Sequence, residues 1–205
     1  MEKIDDLITE DISLQNECNL CEESKLNVRS NSDYGSIIVC KVGNSDKDGW
    51  FATLSPKTGS GDNDFTIQLM PLGHLTHFCQ VNNYPKLAKN YGIIFSKVSE
   101  AMSRILAEEN AEFSVSSTVK TDSVSIATYG KCTNWKEKKE HLHIKIFPFR
   151  GDIGQPYTVD SSFGRKEIID EGSKNEFVKM NPVRKVMIKK ERFEFLSKKL
   201  ISLLK

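Results

Sequence analysis

What this chain of 205 residues lacks narrows its class first. No apolar run approaches the roughly 20 residues that a membrane-spanning helix needs. Met1 to Asp6 is acidic and has no apolar signal-peptide core, so a cytoplasmic location is expected. An excess of either charge is also missing: 29 Lys and Arg face 28 Asp and Glu, a formal net charge of +1. With no global field to attract nucleic acid, any anion binding has to be local. Cysteines are few and odd in number, Cys18, Cys21, Cys40, Cys79 and Cys132. That count does not suit a secreted disulfide framework. Internal repeats and low-complexity tracts are absent. What is present, 38% hydrophobic and 28% charged residues, reads as one globular domain with an appendage.

Periodicity sketches the elements. The β-branched run Ile37-Ile38-Val39 reads as a strand within Ser36 to Lys41, and Trp50 to Leu54 as a second, closed by Ser55-Pro56. Phe65 to Met70 alternates apolar and polar residues and stops at Pro71, a third, half-buried strand. After Tyr84-Pro85, residues Leu87, Tyr91, Ile94, Val98, Met102, Ile105 and Leu106 recur at three- and four-residue steps, which predicts a long amphipathic helix. Residues 113–119 and 123–129 read as strands, and His141 to Phe147 alternates again before Pro148. Gly151 to Asn175 has loop texture. Glu191 to Leu204 is a basic amphipathic helix with Phe193, Leu196, Leu200, Leu203 and Leu204 on its apolar side. Its basic residues read as a solvated face, with an acidic surface as the other option.

Two groups of residues carry chemistry. Cys18-x-x-Cys21 has the spacing of half a tetrahedral zinc site. It lies in a polar segment ahead of the first strand, whereas a redox pair normally opens a helix after a strand, so metal binding is the preferred reading. Two more ligands are needed, and His74 or His77, with His141, would supply them. In His141-x-His143-x-Lys145, alternate side chains of a strand would share a face, a row of two imidazoles and an ammonium backed by Leu142, Ile144 and Ile146. Imidazole offers a lone pair at neutral pH, and the lysine can compensate phosphate charge. A single His-x-His is by itself more often an ordinary solvated strand face.

Taken in order, Cys-x-x-Cys, a strand ending in Leu-Ser-Pro, a strand ending in Pro-x-x-His, a long helix, and His-x-His-x-x-x-x-Pro resemble the histidine triad superfamily of nucleotide hydrolases and transferases. The resemblance covers roughly residues 18 to 149. It implies an α+β fold, an antiparallel sheet of about five or more strands with one long helix packed on it. Residues 1–150 would form the nucleotide-binding domain, with the zinc-binding segment at its start. Residues 151–205 would be an extension ending in a helix and packed on the same body. The implied site has His143 as nucleophile, Lys145 as a phosphate contact, and Gly130, Thr133 and Asn134 around the substrate. The implied metal ligands are Cys18, Cys21, His74 and His141 around a structural zinc, with His77 left over. The family's third triad position is usually His or Gln, where this chain has Lys145, and no serine precedes the triad.

The implied reaction is attack by His143 on the α-phosphate of a dinucleoside polyphosphate, nucleotide sugar or nucleoside phosphoramidate, through a covalent nucleotidyl-histidine. Its partner is then a nucleotide or nucleotide derivative, with no membrane and no specific nucleic acid, and a homodimer is the family's common form. The alternative is a zinc-stabilised nucleotide-binding or interaction protein with weakened turnover, since Lys145 breaks the triad.

Overall fold

A computed structural model describes Ile12, Leu14 and residues 18–58, 65–109, 124–129, 141–148, 164–168, 178–181 and 186–205. The strand expected over 113–119 and the residues Gly130, Thr133 and Asn134 lie outside these. The elements are α1 (Asn19–Lys25), β1 (Ile37–Val42), β2 (Trp50–Leu54), β3 (Lys57–Thr58), β4 (Ile67–Pro71), a 3-10 helix (Phe78–Asn83), α2 (Pro85–Glu109), β5 (Val124–Tyr129), β6 (His143–Pro148), β7 (Gly164–Ile168), β8 (Val178–Asn181), β9 (Val186–Met187) and α3 (Lys190–Leu203). The architecture is α+β. Its centre is a five-stranded sheet ordered β1-β2-β4-β6-β5, antiparallel at every pairing.

Alternation along the strands separates two faces. Trp50, Ala52 and Leu54 of β2 stand in register with Pro71, Leu69 and Ile67 of β4, and Leu69 and Ile67 with Ile144 and Ile146 of β6. These side chains join one core with Leu87, Ile94, Val98, Met102 and Leu106 of α2. Pro85 opens that helix, where its missing N–H costs nothing. Trp50 Nε1 donates to the Leu87 carbonyl at 2.9 Å, which pins the start of α2 to β2. A bulge after Ile38 puts Val39 and Cys40 opposite the single residue Ala52, and both join the helix-side core. The other face carries Ile38, Phe51, Met70 and Leu72, packed by Leu20 and Leu26 at the two ends of α1.

The C-terminal helix belongs to the same body. Leu196, Leu200 and Leu204 are buried in the core that α2 fills. Arg192 pairs with Glu109, and Lys199 Nζ reaches Glu108 at 2.8 Å, so α3 is fastened to the end of α2. Within the stretch expected to be a loop, β7 instead pairs with β8. Turn-type composition there does not exclude a short hairpin, because register and partner decide pairing more than propensity does. Val186–Met187 pairs with Lys57–Thr58, which returns the tail to the sheet beside Pro56.

Candidate metal centre

Four side chains converge from three parts of the chain. Cys18 caps α1 and Cys21 stands one turn later, so the i, i+3 spacing sets both sulfurs on one side. His74 comes from the loop after β4, and His141 from just ahead of β6. The two sulfurs and two ring nitrogens all lie within 4.8 Å of one another. Cys21 Sγ is 3.4 Å from Nδ1 of His74 and 3.4 Å from Nδ1 of His141, and Cys18 Sγ is 3.6 Å from His141 Nδ1. A tetrahedron with metal–sulfur bonds of about 2.3 Å and metal–nitrogen bonds of about 2.0–2.1 Å has sulfur–nitrogen edges of roughly 3.5 Å. The cluster therefore has the dimensions as well as the donors of a tetrahedral site for a metal ion.

Its surroundings prepare it. Cys21, His74 and His141 are buried and Cys18 is half-buried. His141 Nε2 lies 2.9 Å from the Pro71 carbonyl. A carbonyl only accepts, so Nε2 carries the proton and Nδ1 turns its lone pair to the sulfurs, the tautomer a ligand needs. Burial, together with the neighbouring His74 and His143, lowers the His141 pKa to about 3 against the opposing pull of that carbonyl, so the ring is neutral at pH 7. The loop bearing His74 is held tightly. Leu142 N donates to Leu75 O at 2.5 Å. A Cβ on Gly73 would stand 2.2 Å from Ile12 Cγ2 and 2.7 Å from the Asp46 carbonyl, so only glycine fits there.

Of the histidines expected to compete for the site, His77 is excluded by position. Its Nδ1 contacts Thr76 Oγ1 at 2.8 Å at the start of the 3-10 helix, and it is no part of the cluster. The expected row of three on one strand is also corrected. The strand begins at His143, and His141 sits before it, buried among the cysteines. His143 and Lys145 remain two apart on β6 and share its face away from α2.

His143 is half-buried, and its Nδ1 lies 3.2 Å from the His141 carbonyl. Again the carbonyl must accept, so Nδ1 holds the proton and the ring's lone pair is on Nε2. Lys145 is buried and stands in register with Gln68 of β4 on one side and Ala127 of β5 on the other. Gln68 in turn faces Thr53 of β2. Thr53 is fully buried, and its Oγ1 has no hydrogen-bond partner among the described residues. Sequence reading missed Thr53 and Gln68. Each occupies an outlying polar position of an otherwise apolar strand, which is the signal they left. Gly130, Thr133 and Asn134 lie outside the described residues, so only His143 and Lys145 of the expected substrate-side residues are positioned.

Comparison with protein-family models, with curated proteins and with solved structures returned no match for this chain.

Proposed function

We propose that the protein is a nucleotidyl hydrolase or transferase of histidine triad type that works through a covalent intermediate on His143. The observation that carries this reading is the ring of His143. Its Nδ1 holds the proton toward the His141 carbonyl, which puts the lone pair of the ring on Nε2, and Lys145 follows two residues on along the same strand. The sheet with one long helix on its far face, and the Cys18, Cys21, His74 and His141 cluster, support the same assignment. Zinc is the ion proposed for that cluster, since two thiolates and two imidazoles in a buried tetrahedron suit it. When bound it would be structural, tying α1 to the sheet and holding His141, whose carbonyl orients His143.

In the reaction, the Nε2 lone pair forms a bond to the α-phosphorus, and the bond from phosphorus to the leaving-group oxygen breaks with its electron pair on that oxygen, which is protonated from solvent. Water or an acceptor hydroxyl or phosphate then attacks phosphorus. The phosphorus–nitrogen bond breaks, its electrons return to Nε2, and the nucleophile's proton goes to solvent. Lys145 offsets charge on the non-bridging oxygens. The reading is tested with nucleotide labelled at the α-phosphate. Acid-labile label is expected on wild type and absent from His143→Ala, with turnover lost together with it. Label or turnover that survives in His143→Ala removes the covalent mechanism.

Lys145 favours one second reading. A permanently charged, bulky group where the superfamily carries His or Gln suits retention of nucleotide over its turnover. Saturable nucleotide binding with no label and no product across a substrate panel would establish that form.

A further inference from the structure

On the helix-covered side of the sheet, at the outer edge of β1, lies a pocket of about 560 Å³ between α3 and the segment that precedes β1. That volume is within the roughly 300–1,000 Å³ of small-molecule sites. Its floor is apolar: Ile37, Phe193 and Ile201 are partly buried and pack on the main core. Its rim is cationic. Arg29, Lys190, Lys198 and Lys205 line it against one acidic side chain among the described residues, Glu194. None of these four cations is paired with a carboxylate of the described residues. Elsewhere on the same helix the pattern differs, since Arg192 and Lys199 are both paired with α2. The helix therefore spends one set of cations on fastening itself and leaves another set turned to the pocket.

Arg29 adds an independent mark. It is the one non-glycine with positive φ among the described residues, at 79°. L-residues avoid that region, and glycine is the usual choice there. The turn is needed locally, because Arg29 N donates to Ile38 O at 2.8 Å and closes the segment on β1. Glycine would make that turn without strain, yet the chain places a guanidinium there, at the pocket mouth.

We propose that this pocket binds a small amphiphilic anion: a single sulfate, phosphate or carboxylate head held by the cationic rim, with a short apolar body on Ile37, Phe193 and Ile201. The ligand is taken up as a free monomer. The site is separate from His143, which lies three strands away on the opposite face, and it does not depend on the nucleotidyl chemistry.

Octyl sulfate below its micellar concentration is the probe, titrated into the full chain with its metal retained and followed by amide chemical shifts. One saturable site is expected, with shifts centred on residues 29–37 and 193–205. Octyl glucoside and inorganic sulfate, each lacking half of the recognition, should bind at least about tenfold more weakly. Lys198→Glu should weaken octyl sulfate by about tenfold. Arg29→Gly should also weaken it while leaving the unfolding temperature unchanged or raised, which separates loss of the cation from loss of the fold. Octyl glucoside binding as well as octyl sulfate, shifts centred elsewhere, either variant binding like wild type, or binding only to anionic phospholipid vesicles would each overturn the proposal.

Discussion

At the scale of single residues, His141 joins two demands that conflict in acid. Its ring is buried and neutral, with Nε2 on the Pro71 carbonyl and Nδ1 toward the two sulfurs. Its folded pKa is about 3, below the ordinary histidine value. The unfolded chain therefore binds more protons at this position than the folded chain between roughly pH 6.5 and pH 3, and stability rises with pH through that window. The contribution is fully present above the unfolded value and is lost as pH falls toward the folded one. In chelator-treated protein, urea unfolding at steps from pH 7 to pH 4 should show a loss of a few kcal/mol. His141→Asn should show a smaller loss over the same range. Equal pH profiles for the two proteins would mean that His141 is not the group that must charge.

At the scale of elements, α3 was legible from its apolar side but its place was not. Leu196, Leu200 and Leu204 repeat at four-residue steps, which any amphipathic helix would show. That they enter the core of α2, and do not form a separate docking face, depends on contacts nearly a hundred residues distant in sequence. Position then ranks the contributions. Leu200 is fully buried, so Leu200→Ala should cost about 2–5 kcal/mol. The Lys199–Glu108 pair is half in solvent, so Lys199→Ala should cost under about 1 kcal/mol. Chemical denaturation of the two variants checks the order, and a Lys199→Ala loss as large as that of Leu200→Ala would show that charge, not burial, holds the helix. The short helix α1 left little trace in the sequence. Its apolar ends, Leu20 and Leu26, are too few for a period, and it is defined by the sheet face and the cysteines it meets.

At the scale of the whole molecule, legibility followed chemistry more than geometry. The cluster of Cys18, Cys21, His74 and His141 could be named because few residue types bind metal, Cys18-x-x-Cys21 has a ligand spacing, and the family resemblance implied His74 where the residues alone left His74 or His77 open. The row Thr53, Gln68 and Lys145 could not, because it exists only through the register of three strands. A metal ion held by the cluster would govern how the N-terminal segment is attached. It joins residues 53, 120 and 123 positions apart, while the apolar contacts of α1 and its C-cap with the sheet are those of Leu20 and Leu26, beside one hydrogen bond from Lys41 Nζ to the Ser24 carbonyl. The main core, with Trp50, Leu54, Ile67 and Leu87 fully buried, does not rely on it. Metal removal should therefore loosen α1 without unfolding the sheet. Chelation is expected to lower Tm by on the order of 10 °C, for a few kcal/mol at about 2–4 °C each in a chain of this size. It should also open protease cleavage between Cys18 and Ser36, since Ile38, Phe51, Met70 and Leu72 lose their cover. Zinc added back should reverse both changes in wild type. Cys21→Ser should start from the lowered Tm and respond to neither chelator nor zinc. Protein that carries stoichiometric metal and shows the same Tm and cleavage pattern after losing it would rule out the cluster as the fastening of this segment.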